Sequence, residues 1–456
     1  MPKQMTAEEK LVYMTETPLP RLVTSLAVPT VISMLITAFY NMADTYFVGL
    51  IGSASASGAV GVIFPLMALM QAVGFMFGHG SGNYMSRVMG AGDLDDAHRM
   101  AATGFFFSFI AGTVIMLIGL LAAKPLVYLL GSTDTIAPFA QDYIRYLMPG
   151  APFLISSLVL NNQLRFQGSA FYAMIGITSG ALLNVVLDPL FIFGLNMGVA
   201  GAALATSLSQ MVSFVILLSG TRRGGNIRIR LRCFTPTFAS FREILRGGLP
   251  SLARQGLNSL STVCLNLAAG GYGDAAIAAM SIVSRIMMMT VSAIIGFGQG
   301  FQPICGFNYG AKRYDRVRKA FWFCVRVCFG ILVVLAVFAV ILAPHIVRLF
   351  LDHQEVQRIG TLALRLQCIF LPLFSFTCLS NMMLQTLGIA GKATLLAAAR
   401  QGLFFIPAVL GLEKLFGLLG VQMAQPAADV LTFLLAVPLA LSVLKMLKQK
   451  EKEASL

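Results

Sequence analysis

Long apolar stretches recur along this chain from end to end, and they constrain its fold more than any single motif. They run roughly over 21–50, 54–84, 98–130, 145–166, 170–194, 198–219, 246–271, 276–304, 318–350, 360–387, 394–412 and 418–445. Crossing the hydrocarbon core of a bilayer takes about 20 apolar residues, and a helix satisfies its own backbone there. Stretches this long, with short loops between them, predict about twelve transmembrane helices in an all-α polytopic membrane protein. Composition agrees, because only 11% of the residues are charged, against about 25% in a soluble domain. Too little polar surface remains to cover a water-soluble globule. In 456 residues there is then no room for a large soluble domain, which excludes a cytosolic enzyme, a disordered chain and a secreted disulfide scaffold. The seven cysteines, Cys233 onward, lie mostly in apolar stretches without a CxxC, a pattern of packing rather than of disulfides or zinc.

The net charge of +14 is not spread evenly. Arg222, Arg223, Arg228, Arg230 and Arg232 crowd the polar interval 220–243. Lys312, Arg313, Arg316, Arg318 and Lys319 crowd a second loop, and Lys445, Lys448, Lys450 and Lys452 the tail. The alternate loops hold few positives, such as Lys124 and Lys414. Positive loops stay cytoplasmic, so both termini are expected on the cytoplasmic side, and the basic residues call for no nucleic acid.

A repeat with a period near 220 divides the chain. Phe77-Gly78-His79-Gly80 followed by Gly90-Ala91 matches Phe297-Gly298-Gln299-Gly300 followed by Gly310-Ala311. Asn161, Leu164, Gly168 and Ala170 match Asn381, Leu384, Gly388 and Ala390. With small slips, Pro29 pairs with Pro250, Gly52 with Gly273, and Gly198-Val199 with Gly420-Val421. The reading is two six-helix lobes, residues 1–220 and 244–456, joined by a basic linker over 221–243. Six spans return the chain to the side it started from, so the halves are parallel repeats about a midplane cavity. That is a transporter architecture.

Ionisable groups inside the bilayer cost ~2.5–3.5 kcal/mol each and mark function by default. Of nineteen acids, three fall within spans: Asp44, Asp188 and Asp429. Asp188 follows Asn184 by four residues, so both leave one helix face. Asn161 lies in the preceding span and Thr206 in the following one, while Pro189 removes a helix hydrogen bond and frees a carbonyl. Carboxylate, amide, hydroxyl and carbonyl oxygens together suit a hard cation such as Na⁺ at Asp44, Asn184, Asp188 and Thr206. The same carboxylates suit a proton. The other reading open to each acid is a satisfied packing residue. Asp44 pairs with Leu265 in the repeat and Asp188 with Ala408, so a coupling site is expected in the first half alone. Among cations, Arg254 is near enough to a span end to snorkel, and Arg285 is deeper, facing the cavity or pairing with an acid. Met287-Met288-Met289 beside it offer thioethers that adapt to varied ligands, or serve as lipid-facing filler. No GxxxxGK[ST] and no HExxH occurs, which argues against ATP hydrolysis and a zinc protease. No nucleophile–base or metal cluster appears, so an enzyme is not expected.

The run Tyr40-Asn41-Met42-Ala43-Asp44-Thr45-Tyr46-Phe47-Val48-Gly49 resembles the first helix of multidrug and toxic compound extrusion (MATE) transporters. Asn184-Val185-Val186-Leu187-Asp188-Pro189, leading to Gly198-Val199-Ala200-Gly201-Ala202-Ala203-Leu204-Ala205-Thr206, is similar to the same family, as is Pro426-Ala427-Ala428-Asp429 with Gly420-Val421. The similarity runs over essentially the whole chain and points to the bacterial exporters with acids in the N-terminal lobe. It implies two six-helix lobes in a V in the plasma membrane, and antiport of amphipathic, often cationic drugs against H⁺ or Na⁺, with no cofactor. It implies Asp44 as the coupling aspartate, and Asn161, Asn184, Asp188 and Thr206 as the cation-binding set. Tyr40, Asn41, Arg285, Met287, Met288 and Asp429 are expected toward the drug cavity, and a monomer is expected to suffice. A lipid-linked precursor flippase of the same superfamily is the alternative, with Arg254 and Arg285 as its phosphate-facing candidates.

Overall fold

A computed structural model describes residues 5–351 and 353–454. Its helices are α1 (Ala7–Glu16), α2 (Leu19–Gly49), α3 (Ala54–Gly90), α4 (Leu94–Leu121), α5 (Ala123–Leu129), α6 (Ala137–Leu147), α7 (Ala151–Phe166), α8 (Ala170–Pro189) and α9 (Val199–Gly220) in the first half. The second half holds α10 (Phe238–Gly270), α11 (Asp274–Gly310), α12 (Tyr314–Phe350), α13 (Gln354–Phe370), α14 (Leu373–Thr386), α15 (Ala390–Ala398), α16 (Phe405–Phe416) and α17 (Leu418–Ala454). The described residues form no strand.

The expected dozen crossings resolve differently in detail. Ten continuous helical segments are long and apolar enough to cross a bilayer, and α13 with α14, bent by 56°, passes as one broken span. α10 is 33 residues long but carries Arg242, Arg246 and Arg254 in its first half, which lowers its apolarity below that of the others. Helix also claims the end of the expected linker. Thr237 Oγ1 accepts from the Ser240 amide at 3.2 Å, a cap that satisfies an orphan donor of the first turn, so α10 starts at Phe238.

Local chemistry sets the other ends. Thr6 and Glu9 exchange side-chain-to-backbone bonds at the start of α1, and Asp93 caps α4 with Asp95 and Asp96 in its first turn, where acids meet the positive helix end. Gly168 and Gly388, 220 residues apart, turn the chain after α7 and α14 with φ +78° and +77°. That backbone region favours glycine.

The termini and basic loops gather on one face. Lys10 of α1 donates to Asn226 Oδ1, and Arg316 Nη2 donates to the Thr17 carbonyl at 2.8 Å. Arg318 pairs with Glu451 at 2.8 Å. On this side the halves meet backbone to backbone. A side chain at Gly80 would strike the Ile244 carbonyl, one at Gly310 the Arg87 carbonyl, and one at Gly300 Ala27. Only glycine permits so close an approach. Gly61 of α3 and Gly256 of α10 are exposed, with nothing within 4 Å of a side-chain position at either. The two helix sets are thus closed against each other at the basic face.

Candidate functional site

Four helices of the first half converge on Asp44 and Asp188. α2 runs along α8 and carries Tyr40 one turn before Asp44; α8 carries Asn184 one turn before Asp188. Asp188, Asn184 and Thr206 of α9 are 0%, 2% and 1% exposed, whereas Asp44 is half-buried. The two carboxyls stand within hydrogen-bonding reach of each other. Ionised carboxylates bring no donor to such a contact. Oδ1 of each acid is accordingly buried without a partner among the described residues. Buried polar atoms are ordinarily satisfied, and a carboxyl pair so placed is suited to sharing a proton or holding a cation.

Asn184 completes the pocket. With its amide nitrogen toward α8 it donates to Asp188 Oδ2 at 3.0 Å, while its oxygen accepts from the Thr206 amide at 3.2 Å. The opposite orientation leaves a donation to Thr206 Oγ1 at 3.3 Å but sets the amide oxygen against a carboxylate. The hydrogen-bond network favours the first. Pro189 ends α8, its missing N–H leaving the Val185 carbonyl without the usual donor, and the chain leaves by a wide turn over Leu190–Gly194.

A sixth group was not singled out from the sequence. Tyr143 of α6 is fully buried, stands near both acids together with Tyr40, and donates to Met67 Sδ at 3.8 Å. It sits in the amphipathic turn before the fourth apolar stretch, where nothing distinguishes it from an interfacial tyrosine.

Asn161 is not joined to this cluster by any hydrogen bond among the described residues. Its Nδ2 donates to the Ala173 carbonyl at 2.9 Å, and its repeat mate Asn381 donates to the Ala393 carbonyl at 2.7 Å. The same asparagine ties the same two helices in each half.

The residues expected around the drug cavity scatter. Asn41 and Arg285 are exposed, and Arg285 has no ion pair among the described residues. Met287 is buried in the packing of the second half, and Met288 is 42% exposed. Asp429 is 4% exposed and already matched: Arg400 Nε donates to its Oδ1 at 2.7 Å and Gln425 Nε2 at 2.9 Å. Arg400 lies in the wide turn Ala399–Leu403 between α15 and α16, over the Phe374 ring at 4.3 Å. An apolar stretch hid it in the sequence.

Near the closed end lies a second buried polar cluster. Arg165 is 1% exposed and donates to Gln299, to Asn162 Oδ1 at 2.6 Å and to His79 Nε2 at 3.2 Å. Ser251 bridges His79 and Gln385, at 3.1 and 2.8 Å. His79 is thus a junction between the halves rather than a plain packing residue, and Arg254 lies beside it. Of ionisable groups outside the spans, Lys10 is the most perturbed: burial pushes its ammonium down to about 7.

A family model described as MatE matches residues 29–190 and 250–410, one segment in each half. Multidrug export protein MepA of Staphylococcus haemolyticus (strain JCSC1435) is 28% identical over 434 residues, covering 94% of this chain and 95% of that protein. MepA of Staphylococcus aureus (strain MSSA476) is 27% identical over 433 residues, with 94% and 95% covered. Among solved structures, an outward-facing multidrug resistance MATE family transporter of the MOP superfamily superposes with a TM-score of 0.90 at 27% identity, covering 98% of this chain and 100% of that one. A MOP superfamily transporter from Pyrococcus furiosus, described as having a binding pocket of reverse polarity, gives 0.88 at 27% identity, with 96% and 98% covered.

Proposed function

This chain belongs to the MatE family, and on that premise we propose that it is a multidrug efflux transporter of the plasma membrane that exchanges its cargo for an inward-moving cation. One observation carries the coupling: two carboxyls of one half face each other, each with a buried oxygen lacking a partner. A single proton shared between them makes one carboxyl a donor and satisfies the pair. Na⁺ held by the carboxylates and the oxygens of Asn184 and Thr206 meets the same need by charge. The direct contact between Asp44 and Asp188 favours the proton.

Entry of the cation removes a charge next to Tyr40 and Asp44 on α2. α2 lies between α8 of its own half and α11 of the other, so a change in how it packs is felt at the cleft. Cargo then leaves through the open end, and the cation passes to the basic side when the halves rock about the glycine contacts. Inward movement of one charge gains ~2.3 kcal/mol per 100 mV, which supports export without ATP. The basic face is cytoplasmic by its Lys and Arg excess. Drugs are the cargo by kinship with the multidrug export proteins MepA, and small, amphipathic, often cationic molecules are the kind the family resemblance implies. The reading is of a transporter acting as a monomer, without cofactor and without an enzymatic reaction.

The test is dye movement by purified protein in liposomes, under an imposed H⁺ gradient and, separately, a Na⁺ gradient. Movement driven by one gradient and lost in Asp44→Asn, with insertion intact, is expected. Wild-type movement that Asp44→Asn and Asp188→Asn leave unchanged would remove the acids from the mechanism. No movement under either gradient would turn the reading to the lipid-precursor flippase.

A further inference from the structure

On the outer surface of the second half, α12 and α17 leave a groove between them at the basic end. It has a volume of about 610 Å³ and is lined by Arg318, Lys319, Trp322, Arg326, Lys445 and Lys448, among others. A smaller recess continues from Trp322 and Arg326 to Phe329. On α12, Lys319, Trp322 and Arg326 are spaced by three and four residues, so they share one helix face. On α17, Leu441, Lys445 and Lys448 do the same.

The charges in this groove do not balance. Arg318 pairs with Glu451 at 2.8 Å and Lys319 with Asp315 at 3.3 Å. Among the described residues no carboxylate pairs with Arg326, Lys445 or Lys448. Arg326 is exposed and lies two turns, roughly 10 Å, further into the span than Lys319. A lipid-facing arginine at that depth is costly unless it reaches an anion.

The first half shows what the groove lacks. Phe106 stands at the register of Arg326 and Ala102 at that of Trp322, each 220 residues earlier. There the linker lies over α4. The Phe234 ring packs 5.3 Å from Phe106 and 5.6 Å from Phe107, and Thr235 is hydrogen-bonded to Thr103. The equivalent face of α12 keeps its tryptophan 39% exposed and its cations open.

We propose that this groove is a binding site for an anionic diacyl phospholipid, whose phosphate meets Arg326, Lys445 and Lys448 and whose acyl chains lie along Trp322, Phe329 and Leu441. Three unmatched cations at the end of an apolar channel fit one phosphodiester with two hydrocarbon chains. The lipid fills on the second half the place that the linker fills on the first. Basic pockets between transmembrane helices on the cytoplasmic side recognise such headgroups by this chemistry.

Trp322 is the single tryptophan of the chain, so its fluorescence reports this groove. The full-length protein is reconstituted in phosphatidylcholine vesicles containing increasing fractions of brominated phosphatidylglycerol or, in parallel, of brominated phosphatidylcholine. Quenching is expected to favour the anionic lipid by about fivefold or more in relative binding constant, the worth of one cation near such a headgroup. Arg326→Gln with Lys445→Gln and Lys448→Gln is expected to bring the ratio close to one without abolishing quenching. Lys445→Gln with Lys448→Gln, at the exposed end, should halve the preference or more while leaving the span untouched. Equal quenching by both lipids in the wild type overturns the proposal, as does a preference that survives the triple change. Loss of the preference on adding inorganic phosphate assigns the site to a free anion and overturns it too.

Discussion

At one register in the fifth apolar segment of each half, the first carries Asp188 and the second Ala408; in the first apolar segment of each half, Asp44 corresponds to Leu265 in the repeat. The second half does bury an acid, Asp429, but it brings its own cation, Arg400, 2.7 Å away. The first half places two acids together with no basic side chain bonded to either among the described residues. The second half thus pairs its buried acid with a cation of its own, and the first sets two acids side by side without one. Under the proposed coupling, a duplicated scaffold has separated its tasks, because a buried charge is costly unless it is paired or hydrogen-bonded.

The largest effect expected from breaking this difference is at the acids. Asp44→Asn or Asp188→Asn should abolish gradient-driven dye export, whereas Leu265→Asn should leave the dependence on the gradient in place. Export by proteoliposomes at equal protein incorporation decides it. Equal losses at Asp44 and Leu265 would mean that the halves share the coupling.

Next comes the neutral pair of the second half. Arg400→Met leaves Asp429 buried and unmatched, which costs about 3–5 kcal/mol and should lower the melting temperature in detergent markedly. Arg400→Met with Asp429→Leu should recover most of that stability, and export with it. Failure of the double change to restore export would give this pair a part in transport.

A smaller effect separates structure from coupling at the matched asparagines. Asn161→Ala and Asn381→Ala each remove one helix-tying bond, worth about 1 kcal/mol. Both should lower the melting temperature alike and slow export alike. A collapse of gradient dependence in Asn161→Ala alone would assign Asn161 to the cation.

The smallest concerns α1. Lys10 is charged when the chain is free and titrates at about 7 when α1 is docked, so the docked state binds fewer protons above pH 7. Docking should therefore strengthen as pH rises from 7 toward 10, and be weakest below 7, where the buried ammonium stays charged. A spin label on α1 should show a growing immobile fraction over that range. Lys10→Met should flatten the profile.

Much of this architecture was legible in the residues. The apolar stretches and the 220-residue repeat predict two helix sets, and Asp44, Asn184, Asp188 and Thr206 do meet in one pocket. A helix places i and i+4 on one face whatever surrounds it, so Asn184 with Asp188 followed from spacing alone. Tyr143, Arg400 and Arg165 did not. Each lies in a segment whose local pattern reads as interface or filler, and its meaning comes from a helix far away in sequence. Asp429 shows the converse. Read alone, an intramembrane acid looks available; beside Arg400 its charge is paired through Oδ1, while Oδ2 stays without a partner among the described residues.

What the sequence determined by itself was class and plan: hydrophobic length fixes how many times a chain can cross a bilayer, and internal similarity fixes how its halves relate. Only the tertiary structure decided which buried charges are matched, where the halves touch through glycine, and which groove the linker covers. Those outcomes rest on distances of a few ångströms between helices hundreds of residues apart, and no local periodicity encodes them.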